Sequence, residues 1–140
     1  MDRKEIKRLL PHREPMLLVD EIEMIDGKVY GKYHVKGDEF FLQGHFPGNP
    51  IVPGVILCEI MAQSCCLLIG DAMIGKIPLY TGINNVKFKT PVRPGDTVNV
   101  MAEVVRSKGV FYFTTCKATN QHDEVVCMGD TSFAIIEERK

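Results

Sequence analysis

The pattern of hydrophobic and polar positions divides the chain into three parts. After Gly75, apolar and polar residues alternate in runs separated by turn sequences, which is typical of half-buried β-strands. Val98, Val100 and Ala102 alternate with polar neighbours in this way, so one face of the sheet is expected to be buried. The predicted strands are residues 79–92, 97–107, 110–120 and 124–138, at the spacing of antiparallel hairpins.

The middle part is apolar on nearly every side. Residues 55–70, VILCEIMAQSCCLLIG, predict a helix that begins at Pro53 or Gly54, ends near Met73 and is about 30 Å long. A transmembrane helix needs ~20 mostly apolar residues, and this run is shorter and contains the carboxylate of Glu59. We therefore expect a helix buried in protein, with no membrane partner.

The first part mixes both patterns. Residues 2–10 predict a short helix that Pro11 stops, and residues 16–25 and 28–35 predict a hairpin with Asp26 and Gly27 as its turn. An apolar helix must be covered nearly all round. The sequence therefore predicts one α+β domain over residues 1–140, with a curved antiparallel sheet wrapped about a long central helix and a second copy of the chain completing the cover.

Charge and cysteine content exclude several classes of function. The chain has 17 basic and 18 acidic residues, and the basic residues form no long run, so no nucleic-acid partner is indicated. The five cysteines show no CxxC pair and no metal-ligand spacing, which favours reduced, mostly buried thiols, a cytoplasmic location and no metal site. No apolar segment of a signal peptide is visible near the N-terminus.

Glu59 is the first candidate for chemistry, because it is a lone carboxylate among apolar residues of the predicted helix. No basic residue lies three or four positions away, so burial is expected to raise its pKa, as suits a general acid. Gln63 lies on the same helix face, where it could hydrogen-bond the carboxyl and fix its rotamer. The alternative is a core carboxyl bonded to a backbone group.

His45 is the second candidate. It lies in GHFPGNPIVPG, residues 44–54, where prolines and glycines stiffen and bend the backbone. A rigid loop would hold the imidazole in place as a general base, although a structural histidine would fit the same pattern. Gly54 ends the loop where the helix begins, and its N–H could polarise a carbonyl oxygen unless the glycine serves only capping or packing.

A base, an acid and a carbonyl-polarising N–H describe one class of reaction. The base removes a proton next to a polarised carbonyl, and the acid protonates a β-hydroxyl that leaves as water. No nucleophile elbow, phosphate-binding loop or helical pair of metal ligands is present in the sequence.

Four motifs resemble a known family. LLPHREPMLLVD (residues 9–20), GHFPGNPIVPGV (44–55), EIMAQ (59–63) and NNVKFKTPVRPGD (84–96) are similar to bacterial 3-hydroxyacyl-[acyl-carrier-protein] dehydratases of the FabZ type. The resemblance covers nearly the whole chain. It implies a hot-dog fold, and the glutamate at position 59 favours the FabZ type over the FabA type, which typically has aspartate there.

The resemblance also implies the reaction and the assembly. The substrate would be a (3R)-3-hydroxyacyl chain on acyl carrier protein, and the product the trans-2-enoyl thioester of type II fatty acid biosynthesis, formed without metal or organic cofactor. His45 of one subunit and Glu59 of another would share each site, in a dimer that commonly assembles as a trimer of dimers. Gly54 would bind the thioester carbonyl.

Further residues are candidates for roles around the site. Tyr80 and Phe88 are candidates for gating the acyl tunnel, or are ordinary core aromatics. Lys87, Lys89 and Arg93 are candidates for contact with the acidic carrier protein, or form a solvated face. His12 belongs to the first motif and is expected to be structural. The supporting residues of the site are Gln63, Phe46, Pro53 and Val55.

Three other functions stay open. An acyl thioesterase of the same fold would use the helix N-terminus and a carboxylate but would release a free thiol. A FabZ-like dehydratase could also isomerise the double bond, depending on tunnel shape. A non-catalytic acyl-chain-binding module would bind acyl carrier protein without turnover, although a binder has no need of both His45 and Glu59.

Overall fold

A computed structural model describes residues 1–137. The helices are α1 (Arg3–Leu9), α2 (Gly54–Ser64) and α3 (Cys66–Ile69), with 3₁₀ turns at Phe40–Leu42 and Gly70–Met73. The strands are β1 (Glu21–Ile25), β2 (Lys28–His34), β3 (Lys76–Phe88), β4 (Thr97–Lys108), β5 (Phe111–Thr119) and β6 (Val125–Glu137). The predicted last strand is confirmed up to Glu137, and its final residue, Glu138, lies outside the described residues.

All six strands form one antiparallel sheet in the order β1-β2-β4-β5-β6-β3. The predicted turn between β1 and β2 is confirmed, and Asp26 and Gly27 both have positive φ, as a two-residue hairpin turn requires. β3 pairs with β6 instead of its chain neighbour β4, so β3 lies at an edge of the sheet. The sheet surrounds α2, which packs against β2, β4, β5 and β6, as the hot-dog resemblance implies.

The predicted extent of the central helix, from Gly54 to Met73, is confirmed, but the helix is interrupted at Cys65 and ends in a 3₁₀ turn. α2 ends at Ser64, and α3 resumes at Cys66. The side chains of Ser64 and Cys65 donate to the carbonyl oxygens one turn earlier, of Ile60 at 2.8 Å and Met61 at 3.3 Å. Such bonds compete with the helical backbone and bend it. By length and apolarity the stretch 54–73 could cross a membrane, but here it is the core of the fold.

The first strand is shorter than the sequence predicts, because it begins at Glu21 and not at Met16. The backbone groups that a longer strand would pair are bonded to side chains instead. Arg3 donates to the carbonyl oxygen of Leu17 at 3.0 Å, and Gln63 accepts from the N–H of Leu18 at 2.8 Å. Residues 16–20 therefore run across the end of the central helix as an irregular, anchored segment.

All five cysteines are buried and unpaired, as expected. Close packing also explains one glycine of β2. A side chain at Gly31 would meet Ser64 Oγ at 2.4 Å, so the glycine lets β2 approach the interrupted helix.

Candidate active site

Glu59 lies on α2 and lines a cavity of about 200 Å³. Three donors surround its carboxyl group. Gln63 Nε2 is 3.3 Å from Oε1, His12 Nε2 is 3.4 Å from the same oxygen, and Tyr80 Oη is 3.0 Å from Oε2. The other walls are mainly apolar and include residues of α3, β3 and β6. The carboxyl group is therefore fixed at one end of a pocket suited to an apolar chain.

The predicted contact between Gln63 and Glu59 is confirmed. The amide of Gln63 is itself fixed, because its Oε1 accepts from the N–H of Leu18 and its Nε2 donates to the carbonyl oxygen of Met16, each at 2.8 Å. Gln63 is fully buried, so these bonds replace those that water would make. One side chain thus connects the N-terminal segment to Glu59.

His12 is the contact that the sequence argument missed. His12 was expected to be structural, and helical spacing can indicate partners of Glu59 only three or four positions away on its own helix. The imidazole belongs instead to the loop after α1, 47 positions before Glu59 in the chain. The only signal available was that His12 and Glu59 both belong to motifs of the same family resemblance.

The prediction that burial raises the pKa of Glu59 is wrong for this chain. Burial alone would raise it, but hydrogen bonds from His12, Gln63 and Tyr80 stabilise the carboxylate and lower the pKa below its usual value. Two of these donors come from segments distant in sequence. Tyr80 shows the reciprocal effect, since burial and the neighbouring carboxylate raise the pKa of its hydroxyl.

His45 lies in a second cavity, of about 470 Å³, which the first residues of α2 also line. Its Nδ1 is 2.7 Å from the carbonyl oxygen of Ile51. A carbonyl oxygen only accepts, so Nδ1 carries the hydrogen and Nε2 is left as an acceptor. Phe46 follows with φ of 53°, and its ring centroid lies 4.3 Å from that of His45. The loop therefore presents the imidazole in the tautomer that a base requires.

Gly54 lies in the cavity of His45 as the first residue of α2, with Pro53 as the N-cap. Within residues 1–137, no protein group accepts a hydrogen bond from the N–H of Gly54. Val55 is 75% exposed beside it, and the ring of Phe88 covers the position that a Cβ at Gly54 would occupy. The glycine thus serves close packing as well as leaving a free N–H at a helix N-terminus.

The two aromatic candidates for a gate lie apart. Tyr80 contacts Glu59 in the first cavity, and Phe88 lines the second. Both belong to β3, whose pairing with β6 shifts register between Tyr80 and Gly82 and between Asn84 and Lys87. Their role as a gate stays a prediction, and neither residue is an ordinary core aromatic, because both are exposed by more than a third.

The three basic candidates are all exposed near the second cavity. Lys89 lines this cavity, Lys87 lies near the end of β3, and Arg93 lies in the turn before β4. In the described part of the chain, none of the three forms an ion pair. They are therefore available to an acidic partner.

A single chain does not bring His45 and Glu59 together, because they line separate cavities. Each cavity holds part of the expected chemistry, with the base and the carbonyl-binding N–H in one and the carboxyl in the other. Across residues 1–137, no group of three histidine, cysteine or acidic side chains is placed to hold a metal ion.

Residues 10–129 match the model of the FabA-like domain. Among curated proteins, the chain is 45% identical over 139 residues to the 3-hydroxyacyl-[acyl-carrier-protein] dehydratase FabZ of Caldicellulosiruptor saccharolyticus, covering 96% of this chain and 98% of that one. It is 41% identical over 138 residues to the protein of the same name from Clostridium perfringens, with 96% and 99% covered.

Solved structures show the same fold at low identity. The dehydratase heterocomplex ApeI:P from Xenorhabdus doucetiae superposes with a TM-score of 0.79 at 18% identity, over 96% of this chain and 91% of that one. A hypothetical thioesterase from Streptococcus pneumoniae, solved with coenzyme A, superposes with a TM-score of 0.62 at 20% identity, over 86% and 88%. Both establish the architecture and not the reaction.

Proposed function

The chain belongs to the FabA-like domain family, and on that premise we propose that it is a 3-hydroxyacyl-[acyl-carrier-protein] dehydratase of the FabZ type. The observation that carries the proposal is identity of 41 to 45% with FabZ proteins over nearly the full length of both chains. The site supports it, because an imidazole, a helix N-terminal N–H and a mostly buried carboxyl are the groups that dehydration needs.

The proposed reaction is an elimination. His45 Nε2 removes the proton on the carbon next to the thioester carbonyl, and the N–H of Gly54 stabilises the negative charge on the carbonyl oxygen. Glu59 donates a proton to the β-hydroxyl, the C–O bond breaks, and water leaves as the carbon–carbon double bond forms. The elimination leaves His45 protonated and Glu59 ionised, and proton exchange with water restores both groups without a metal or an organic cofactor.

The site would be completed by a second copy of the chain. β3 is an edge strand with free backbone groups, and its side chains Leu79 and Ile83 are about half exposed. Antiparallel pairing of two β3 strands would join the sheets and bring His45 of one subunit toward Glu59 of the other. A dimer is therefore the proposed state, and the family resemblance implies its further assembly as a trimer of dimers.

The proton of Glu59 would be acquired on assembly and substrate binding. The three donors favour the carboxylate in the isolated chain. An apolar acyl chain and a partner loop would exclude the remaining water, and such desolvation raises the pKa of a carboxyl group. The acid would then be protonated only in the closed site.

The proposed partner is acyl carrier protein in the cytoplasm. Lys87, Lys89 and Arg93 would attract its acidic surface to the cavity that holds His45, while the phosphopantetheine arm carries the substrate inward. The reach of the apolar cavity beside Glu59 would set the chain length that is accepted.

Hydration of a crotonyl or longer 2-enoyl thioester tests the proposal directly. The conjugated enoyl thioester absorbs in the ultraviolet, so dehydratase activity in reverse removes this absorbance without releasing thiol. A thiol-trapping dye in the same sample identifies a thioesterase instead, and chromatography of the product detects double-bond isomerisation. A folded wild-type protein that leaves the enoyl thioester unchanged would reject the proposal.

A further inference from the structure

His12 reaches Glu59 through a segment that is fixed at several points. The guanidinium of Arg13 folds back onto the carbonyl oxygens of Leu10 at 2.9 Å and of His12 itself at 2.7 Å. Arg3 holds the following residues through the carbonyl oxygen of Leu17 at 3.0 Å. These hydrogen bonds fix the backbone on both sides of His12. Its imidazole is therefore held against the carboxyl of Glu59.

The two nitrogens of the His12 ring have different surroundings. Nε2 is 3.4 Å from Glu59 Oε1, whereas Nδ1 is buried and has no hydrogen-bond partner within the described residues 1–137. A carboxylate only accepts, so Nε2 carries the hydrogen and Nδ1 keeps its lone pair. A second hydrogen on Nδ1 would be a buried donor without an acceptor, which costs free energy.

We propose that His12 is a positioning residue for Glu59, whose Nε2 holds Oε1 and whose buried Nδ1 has no other partner to draw the ring away. The inference rests on the proposed dehydratase function, because that reaction needs the proton on Glu59. His12 would act through Glu59, whose carboxyl its Nε2 contacts at 3.4 Å. Its contact decides where the carboxyl points.

Other titratable groups also face the carboxyl of Glu59. Tyr80 of β3 donates to Oε2, Cys58 is its neighbour on α2, and Cys66 of α3 lines the same cavity. Burial raises the pKa of Cys66 to about 12, and a hydrogen bond with Cys127 lowers the pKa of Cys58 to about 7. Both thiols therefore titrate at higher pH than a carboxyl group whose pKa is lowered.

Two substitutions separate positioning from packing. His12→Phe keeps the ring volume and removes the donor, whereas His12→Gln keeps an N–H donor that cannot take a second proton. We expect His12→Phe to lower kcat by about 10- to 100-fold with little change in KM, because the carboxyl loses its orientation. His12→Gln should retain most of the activity. His122→Gln, at an exposed turn, is the matched control and should behave as wild type.

The pH dependence gives a readout that a structural role would not move. The active form has Glu59 protonated and the base neutral, so kcat/KM against pH is a bell whose acid limb follows the lower of the two pKa values. The pKa of Glu59 is lowered partly by His12, so its removal should shift the acid limb to higher pH. His12→Gln should leave the limb in place. An unmoved limb in His12→Phe, or equal losses in both variants, would overturn the proposal.

Nuclear magnetic resonance tests the pair without using activity. Nitrogen-15 shifts of wild-type His12 should show the Nε2–H tautomer, and carbon-13 shifts of the Glu59 carboxyl should titrate at higher pH in His12→Phe. An Nδ1–H tautomer, or an unchanged Glu59 titration, would reject the role of His12 even in an active enzyme. The expected spectra in a protein without dehydratase activity would reject the proposed function and retain the pair.

Discussion

The ring of Phe88 packs where a side chain at Gly54 would begin. A Cβ built on Gly54 would be 2.9 Å from both Cε1 and Cζ of Phe88, closer than such atoms approach in proteins. Phe88 ends β3 and is about half exposed, so its ring can turn aside. A side chain at position 54 would therefore displace the Phe88 ring, which lies beside the free N–H of Gly54 in the cavity that holds His45.

Gly54→Ala should consequently reduce activity more than stability. The backbone N–H remains, but the displaced ring changes the approach of the thioester, and a misplacement of about 1 Å costs on the order of 100-fold in rate. Phe88→Ala in the same chain should restore part of kcat/KM by removing the obstacle. If the double variant is as slow as Gly54→Ala alone, the Phe88 ring is not the cause.

Gln63→Met tests the buried amide that joins the N-terminal segment to the central helix. The substitution leaves the N–H of Leu18 and the carbonyl oxygen of Met16 without partners, and each buried unpaired group costs about 1–3 kcal/mol. Urea denaturation should show this loss in the free energy of unfolding. Gln43→Met, at an exposed position, is the control. Equal stability of the two variants would contradict the role of the amide.

The stability of the fold should depend on pH through Glu59. Its pKa in the folded chain is lowered by His12, Gln63 and Tyr80, so ionised Glu59 stabilises the fold above its unfolded pKa. That contribution is lost as the pH falls through the folded pKa. The stability of wild type relative to Glu59→Gln should therefore decrease on acidification below about pH 4.5, measured by urea denaturation. The exposed Glu23→Gln variant is the control, and a constant difference would contradict the assignment.

The exposed basic residues should matter only for the protein-linked substrate. Reversing the charge at Lys87 and Lys89 should raise KM for an acyl-carrier-protein substrate, more so at low salt, and leave a small thioester unaffected. Lys117→Glu, exposed on β5, is the matched control. Equal effects on both substrates would place these lysines in the site itself and not at a docking surface.

The sequence predicted the elements whose signal is local. Alternation and turn residues identified the β1–β2 hairpin and strands β4 to β6, and helical spacing placed Gln63 on the face of Glu59. It failed at two places, one within the central helix and one that depends on distant segments. The helix is interrupted because Ser64 and Cys65 bond back to its carbonyl oxygens. The pKa of Glu59 is lowered in part by His12 and Tyr80, which come from outside its helix and which no spacing along α2 could reveal.

The central claim is that two chains share one dehydration site, with His45 from one and Glu59 from the other. His45→Ala and Glu59→Gln should each lose about 100- to 10,000-fold in rate while keeping the fold, because each removes an acid or base. Mixing the two variants under conditions that exchange subunits should restore activity to about a quarter of wild type, since half of the dimers are mixed and one of their two sites is intact. Mixed dimers that form but show no recovered hydration of a 2-enoyl thioester would contradict the account.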